Sequence, residues 1–282
     1  MTAGALRHHA RIVIGGIAVG VETLDGAFLR LLEERYSGFI EAAADRNHAD
    51  YEFVVDLAPP AGTSPDDDIR VFRQGPQWLL QRGDFRAEWE PATRRGRVRQ
   101  SANPYSIDAV LRIVHTLVLA GEGGFLLHAA SAVLDGKAFV FAGVSGAGKT
   151  TISRLAPPDV HVLTDEISYV RKEGDCYVAY GTPFAGELAK AGENLKAPLA
   201  AVYLLAQGPE NRIDEVSATE AARGLLTNIL FFAEDADLVR AVFQSALQFV
   251  ELVPVRRLTF VPDARVWELI RRGARSADGW HA

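Results

Sequence analysis

A glycine-rich stretch that ends in a lysine and a threonine carries the clearest chemistry in this sequence. Residues 143–150 read GVSGAGKT and fit the pattern G-x-x-x-x-G-K-[ST] at every fixed position. In such a loop, successive backbone N–H groups point at phosphate oxygens, the lysine supplies a positive charge, and the threonine hydroxyl can bind Mg²⁺. The residues predicted to bind a nucleotide are Gly143, Val144, Ser145, Gly146, Ala147, Gly148, Lys149, Thr150 and Thr151.

The loop lies between an apolar segment and a helical one, in the order that this motif requires. Residues 139–142 form an apolar run typical of a buried strand, and residues 151–155 read as the first turns of a helix. Pro157 and Pro158 end that helix early. This context favours a phosphate-binding loop over a chance match in a glycine-rich turn.

Two adjacent acids follow the next apolar run, residues 160–163. A carboxylate at the end of a neighbouring strand usually completes the Mg²⁺ site beside such a loop, so we predict metal ligands at Thr150, Asp165 and Glu166. The pair contains one acid more than metal binding requires. The spare carboxylate is a candidate base for an attacking hydroxyl, so Asp165, Glu166 and Lys149 are candidate catalytic residues; alternatively, Glu166 is a supporting or surface acid.

A histidine precedes the loop on another apolar run, FLLHAASAVL at residues 125–134. A lone histidine in such a strand is often a core residue bonded to the backbone. Here Asp135 and Gly136 predict a hairpin that returns the chain into the loop's own strand. His128 is therefore a fourth candidate catalytic residue, placed to orient or assist the acids.

The segments HAASAVLDGKAFVFAGVSGAGKTT and LTDEISYV resemble the catalytic domain of HPr kinase/phosphorylase and its relatives, which include enzymes of peptide-modification gene clusters. That family has a histidine, a hairpin, the loop and a strand ending in two acids, and His128 lies fifteen positions before Gly143, as in the family. The resemblance implies a core akin to ATP-dependent phosphoenolpyruvate carboxykinase. It also implies ATP and Mg²⁺ as cofactors, Asp165 as base or metal ligand with His128 as its neighbour, and a possible homo-oligomer.

The sequence departs from that family in several places. Glu166 stands where the HPr enzyme has aspartate, and Thr150 where it usually has serine. The glycine-rich signature with an arginine is missing, and residues 181–187, GTPFAGE, occupy roughly its place. This segment either contacts substrate or metal or is a structural turn. The resemblance covers about residues 106–270; it supports phosphotransfer and weakens HPr as substrate and phosphorolysis as a second activity.

The whole chain reads as an α/β protein with two parts. We predict a P-loop core with a mixed sheet over residues 104–282 and a small α+β module over residues 1–103. In the module, Asp25 is expected to cap a helix to about residue 43, and a strand meander turns at residues 75–76, 83–84 and 95–96. Ser106 is expected to cap the next helix.

Two charged clusters in the module leave alternatives open. The basic cluster Arg94, Arg95, Arg97 and Arg99 is interpreted as an exposed sheet edge that resists strand addition, with contact to an acidic partner as the alternative. Asp66 to Asp68 form a run in a loop that is either solvated or a metal site. Arg212, Arg256 and Arg257 are candidates to neutralise a transferred phosphoryl group.

Composition limits the function classes. The 282 residues carry a net charge of −6, which argues against a general nucleic-acid binder. Cys176 is the only cysteine, so there is no intramolecular disulfide and no cysteine zinc cluster. Residues 1–11 do not resemble a signal peptide, and the longest apolar run is interrupted by Arg112 and His115. We expect a cytoplasmic protein without membrane contact.

Two functions are compatible with these residues. The first is an ATP- and Mg²⁺-dependent kinase acting on a hydroxyl, serine-like in character, of a protein, peptide or small molecule. The second is a nucleotide-binding regulator or slow ATPase without an acceptor. The spare carboxylate beside His128 favours the kinase, because a switch has no need of a base.

Overall fold

The structure is a computed structural model that describes residues 6–41, 49–59, 68–188 and 190–277. The chain forms two compact units, Met1–Val118 with Phe231–Val239 and Leu119–Leu230 with Arg240–Ala282. The described residues form six helices and two mixed sheets, which confirms the α/β class. The predicted boundary between residues 103 and 104 stays a prediction.

The elements are numbered in chain order. They are β1 (His8–Ile14), β2 (Ile17–Thr23), α1 (Gly26–Arg35), β3 (Tyr51–Leu57), β4 (Arg70–Gln74), β5 (Gln77–Arg82), β6 (Phe85–Glu90), β7 (Arg95–Gln100), α2 (Pro104–Glu122), β8 (Phe125–Leu134), β9 (Lys137–Ala142), α3 (Lys149–Arg154), β10 (His161–Thr164), β11 (Ile167–Glu173), β12 (Cys176–Tyr180), β13 (Lys196–Gln207), β14 (Arg212–Glu215), α4 (Ala218–Leu226), β15 (Ile229–Leu230), α5 (Ala236–Leu252), β16 (Val255–Phe260) and α6 (Arg265–Ala277).

A seven-stranded mixed sheet forms the first unit, in the order β1-β2-β3-β7-β6-β5-β4. Strand β3 runs parallel to β2 and β7, and the other pairs are antiparallel. One row of aligned partners, Val71, Leu80, Ala87, Val98 and Val55, crosses five strands and is buried throughout. Because side chains alternate along each strand, this row fixes which face of the sheet is the core.

The first helix is shorter than predicted. Asp25 caps α1 by accepting the N–H groups of Ala27 and Phe28, at 2.9 and 2.8 Å, but the helix ends at Arg35 instead of residue 43. Beyond it the carbonyl of Phe39 accepts the N–H of Val13 at 2.8 Å. The segment around Phe39 therefore pairs with β1 instead of continuing the helix.

Two further local predictions were wrong. The third meander turn is at residues 91–94, not 95–96, because β7 begins at Arg95 and pairs it with Glu52 and Glu90 of opposite charge. The cap of α2 is Asn103, whose side-chain oxygen accepts the N–H groups of Tyr105 and Ser106 at 2.9 and 3.0 Å.

The basic cluster does not lie at a sheet edge. Strand β7 is an inner strand between β3 and β6, and the edge strands of this sheet are β1 and β4. Arg95, Arg97 and Arg99 alternate on its exposed face. Protection of an edge therefore does not explain them. Asp66 and Asp67 of the aspartate run lie outside the described residues.

The second unit contains a nine-stranded mixed sheet in the order β10-β8-β11-β12-β13-β16-β14, with β9 between β8 and β13 and β15 beside β8. The predicted hairpin joins β8 to β9 through Asp135 and Gly136, whose φ angles are 50° and 76°. Strand β13 is parallel to β9 and to β16. Their carboxyl ends therefore meet at one edge of the sheet, where the glycine-rich loop begins.

A cluster of aromatic side chains packs against the strands that lead to that edge. Tyr203 of β13 stacks on Phe139 and Phe141 of β9, with ring centroids 6.1 and 5.8 Å apart. Trp267 of α6 meets Phe141 edge-on at 5.4 Å. Ile152 of α3 joins the same buried cluster. The strand and the helix on either side of the loop thus share one core.

Ser217 caps α4 by accepting the N–H group of Glu220, and the helix ends at Leu226. The short strands β14 and β15 lie on either side of it in the chain. Cys176 is exposed. No helix within the described ranges combines the length and the apolar character needed to cross a membrane.

Candidate active site

The glycine-rich loop joins β9 to α3 and curls tightly. Gly148 has φ 112°, a conformation that residues with side chains rarely adopt. A methyl group at this position would lie 2.6 Å from the Cζ atom of Phe260 on β16. Glycine is therefore required here both by the backbone angle and by the neighbouring ring.

Hydrogen bonds from two sides hold the loop in shape. The Lys149 ammonium donates to the carbonyl oxygens of Gly143 and Val144, at 2.8 and 3.3 Å. Gln207, at the end of β13, donates from Nε2 to the carbonyl of Gly146 at 2.7 Å. The loop is thus anchored to its own lysine and to the adjacent strand.

Lys149 is buried but faces carboxylates. Partial desolvation lowers the pKa of its ammonium, while the negative charges of Glu166 and Glu187 act in the opposite direction. The two acids come from different segments of the chain, so three charged side chains converge on one space. Such an arrangement suits a ligand that brings additional negative charge together with a metal cation.

The acid pair lies in the connection between β10 and β11. The Thr164 hydroxyl accepts the N–H groups of Glu166 and Ile167, at 3.2 and 3.1 Å, and so fixes the turn. Asp165 is buried, and its two carboxylate oxygens accept the N–H groups of Gly186 and Leu188, at 3.0 and 2.9 Å. Glu166 is only half-buried. The two adjacent acids therefore have different surroundings.

Residues 181–187 combine a structural half and a site-facing half. Thr182 is fully buried and donates from its hydroxyl to the carbonyl of Ile167 at 2.9 Å. Gly186 lies so close to the acid pair that a methyl group there would be 2.8 Å from the Cβ of Glu166. Glu187 is exposed toward the cavity. The segment is therefore structural at Thr182, and contact of Glu187 with substrate or metal stays a prediction.

His128 is the exposed residue of an otherwise largely buried strand. It is aligned with Ile167 across the β8–β11 pair, and its backbone N–H donates to the carbonyl of Asn228 at 2.7 Å. Partial desolvation and then the positive charge of Lys149 lower the pKa of its imidazole. The lowered pKa favours the neutral imidazole, which can accept a proton. Because the residue is exposed, it is not the core histidine of the alternative interpretation.

These segments enclose a cavity of about 350 Å³. It is lined by His128, Ser145, Gly146, Gly148, Lys149, Thr150, Thr151, Asp165, Glu166, Ala185, Gly186 and Glu187. Three residues predicted to bind nucleotide do not line it: Gly143 begins the loop, Val144 is 79% exposed, and Ala147 is buried behind it. The other predicted site residues are brought together.

Comparison with known proteins gives the family. The family model of the SynChlorMet cassette protein ScmC matches residues 99–274, which is more than half of the chain and includes every residue of the cavity. The chain belongs to the ScmC family. No curated protein sequence shows a significant match. Among solved structures, the Hpr(Ser) kinase/phosphatase from Coxiella burnetii is similar at 10% identity and a TM-score of 0.33, over 55% of this chain and 93% of that chain.

The arginines proposed as phosphoryl neutralisers are not part of this ScmC-family cavity. Arg212 pairs with Asp214 at 2.8 Å, Arg256 with Glu215 at 3.0 Å, and Arg257 with Glu220. They sit on strands β14 and β16, and each is neutralised by an acid in the same unit. Their predicted role as phosphoryl neutralisers finds no support, because Asp214 and Glu215 of β14 and Glu220 of α4 pair with them instead.

The donor set of the cavity suits a nucleotide with Mg²⁺. The ammonium of Lys149 can pair with phosphate oxygens. The Thr150 hydroxyl and the carboxylates of Glu166 and Glu187 are oxygen ligands of the kind that Mg²⁺ takes alongside phosphates. Across the described ranges, no group of three or more histidine, cysteine or acidic side chains is arranged to hold a metal ion unaided. Any Mg²⁺ here would therefore take some of its ligands from the phosphate oxygens.

Two residues that contact the loop or the helix after it were not predicted from the sequence. Gln207 ends an apolar strand, and that polar residue at a strand terminus is the only local signal for its contact with the loop. Trp267 donates from Nε1 to the carbonyl of Ile152 in α3 at 3.2 Å. Nothing in the surrounding sequence indicates that contact, because the partners are 115 positions apart.

Proposed function

We propose that this protein is an ATP- and Mg²⁺-dependent kinase that transfers the terminal phosphoryl group to a hydroxyl, serine-like in character, of a protein, peptide or small molecule. The observation that carries the proposal is that one cavity is lined jointly by Lys149, Thr150 and Glu166. The proposal includes a P-loop core of the HPr kinase and phosphoenolpyruvate carboxykinase type, supported by the order of histidine strand, hairpin, loop and acid pair.

In this proposal the glycine-rich loop binds the phosphates. Lys149 and the backbone N–H groups of residues 145–150 neutralise and orient them. The Thr150 hydroxyl and the Glu187 carboxylate are the candidate Mg²⁺ ligands in this proposal, whereas Glu166 of the same cavity takes the acceptor's proton. Bound ATP supplies the phosphoryl group, and Mg²⁺ supplies positive charge that offsets the charge on its oxygens.

The acceptor's proton goes to an acid of the cavity. Both oxygens of Asp165 accept backbone N–H groups, so we assign Asp165 to positioning and Glu166 to proton transfer. The acceptor oxygen bonds to phosphorus while the phosphorus–oxygen bond to the nucleoside diphosphate breaks. Neutral His128 faces the same cavity and can accept a hydrogen bond from the acceptor or a proton from Glu166.

The test separates nucleotide binding from transfer. Binding of a fluorescent ATP analogue and transfer of labelled γ-phosphate to a serine-containing peptide library are measured for the wild type, Lys149→Met and Glu166→Gln. Glu215→Gln is the matched control, because Glu215 is an exposed acid of the same unit paired with Arg256 outside the cavity. An alanine-substituted library controls for the hydroxyl.

Lys149→Met is expected to lose nucleotide binding. Glu166→Gln is expected to bind the analogue within about threefold of wild type and to transfer about 10²- to 10⁴-fold more slowly, the usual loss when a general base is removed. Phosphate release that is equal in wild type and Glu166→Gln, and independent of acceptor, would reject the kinase in favour of a regulator or slow ATPase.

A further inference from the structure

A second cavity, of about 600 Å³, lies in the first unit at one end of its sheet. It is formed where β3 and β7 end and where β4 and β6 begin. Its lining is Ala58, Pro59, Asp68, Arg70, Gln81, Arg82, Gly83, Asp84, Phe85, Arg86, Arg99, Gln100 and Ser101. The volume is within the range of ligand-binding clefts, about 300–1,000 Å³.

A row of cross-strand partners makes this cavity basic. Arg70 is aligned with Gln81, Gln81 with Arg86, and Arg86 with Arg99, so the four side chains lie on one face of four neighbouring strands. Arg86 and Arg99 are directly opposite each other. Like charges in that position destabilise a sheet, so the pair costs stability unless an anion lies between them.

The acids of the first unit leave this row largely unneutralised. Arg86 reaches Glu88 at 3.3 Å, an exposed contact. Arg99 is aligned with Asp56 of β3, but Asp56 pairs with Arg97 at 3.1 Å. Arg70 and Arg99 form no ion pair with any residue in the described part of the chain. Asp68 is the one acid of the lining without a basic partner among the described residues. The local charge is therefore positive in a chain whose net charge is −6.

The remaining charged pair of the lining is already satisfied. Arg82 donates to both oxygens of Asp84, at 2.5 and 2.8 Å, and the Ser106 hydroxyl donates to Asp84 at 2.7 Å. This pair shapes the wall of the cavity without adding net charge. The basic groups available to a ligand are thus those of Arg70, Arg86 and Arg99.

We propose that this cavity binds an acidic peptide segment through carboxylates. The row from Arg70 to Arg99 crosses three strand spacings, about 14 Å at about 4.8 Å each. Side chains on one face of an extended peptide repeat every two residues, about 6.7 Å, so three glutamates at alternate positions span about 13 Å, close to the length of the row. A single small anion cannot reach both ends. The planar guanidinium group of arginine presents two parallel N–H donors, which match the two oxygens of a carboxylate.

The test uses the full chain without nucleotide and a labelled probe peptide, acetyl-GEGEGEG, with acetyl-GQGQGQG as the uncharged control. Binding is followed by fluorescence anisotropy at low and at moderate salt. Arg70→Gln and Arg99→Gln are compared with Arg95→Gln. Arg95 is an ideal control, because it is exposed on the same strand and face as Arg99 but lies opposite Glu52 and Glu90 and outside the cavity.

Arg70→Gln and Arg99→Gln are each expected to weaken binding about tenfold, the loss of one charge-assisted contact, while Arg95→Gln stays within about twofold. Arg99→Gln should also unfold at nearly the wild-type temperature, because it removes the repulsion with Arg86 together with the attraction to Asp56. Both results together support the site, and the second shows that the variant is folded.

Three results would overturn the proposal. One is no binding of the glutamate peptide up to about 1 mM. Another is an equal loss in Arg95→Gln and Arg99→Gln, which would mean diffuse surface attraction. The third is displacement of the peptide by citrate or by single-stranded DNA at equal charge concentration, which would assign the cavity to small anions or to nucleic acid. None of these outcomes depends on the kinase assignment.

Discussion

Replacing Asp165 by asparagine should loosen the segment that closes the candidate active site. Asp165 is 5% exposed, and its two oxygens hold the N–H groups of Gly186 and Leu188. Asparagine keeps one acceptor oxygen, and its amide nitrogen faces the other backbone N–H group. One hydrogen bond to a charged acceptor is lost, and one donor loses its partner.

The magnitude follows from these two losses. A hydrogen bond to a charged group contributes about 1.5–3 kcal/mol, and a buried donor without a partner costs about 1–3 kcal/mol. We therefore expect at most about 2.5–6 kcal/mol of local destabilisation, with little reduction by solvent because the carboxylate is buried. Glu166→Gln is the matched comparison, since it leaves both backbone hydrogen bonds of Asp165 in place.

Hydrogen exchange resolves the effect at the two amides. In Asp165→Asn, the N–H groups of Gly186 and Leu188 should exchange about 10²- to 10⁴-fold faster than in wild type, whereas Glu166→Gln should change them by less than about threefold. Unchanged exchange of both amides in Asp165→Asn would refute the positioning role. Equal acceleration in the two variants would refute the division of roles between the acids.

Two other predictions concern the loop and its histidine. Gly148→Ala should destabilise the protein by about 1–3 kcal/mol in urea unfolding and abolish binding of an ATP analogue, because the added methyl meets Phe260 at 2.6 Å; retained binding would contradict this. The NMR titration of His128 should have its midpoint below 6.5 and move upward in Lys149→Met, which removes one of the two causes of the lowered pKa. Since the folded state then binds this proton less tightly than the unfolded state, the His128 contribution to stability should fall as the pH drops from about 7 through 6.5; a midpoint above 6.5 would contradict the geometry.

The parts of the site that are contiguous in sequence were predictable. The loop at 143–150 and the hairpin at Asp135 and Gly136 are specified by adjacent residues with fixed conformational preferences. The nearness of His128 followed from that hairpin alone, since β8 and β9 pair over their whole shared length. Strand periodicity gave most of the strands for the same reason.

The parts that depend on distant pairing were not predictable. The different surroundings of Asp165 and Glu166 depend on backbone N–H groups more than twenty positions away, at Gly186 and Leu188. The inner position of β7 follows from its parallel pairing with β3, which no local pattern specifies. The end of α1 was missed because Phe39 bonds to β1, which overrides helix propensity.

The contact between Trp267 and the carbonyl of Ile152 has a consequence for synthesis of the chain. Trp267 touches the helix that follows the loop and the ring of Phe141 on the strand that precedes it. The ribosome makes this tryptophan 115 residues after Ile152. A nascent chain long enough to contain the whole glycine-rich motif therefore still lacks these contacts, which can form only after translation has reached α6.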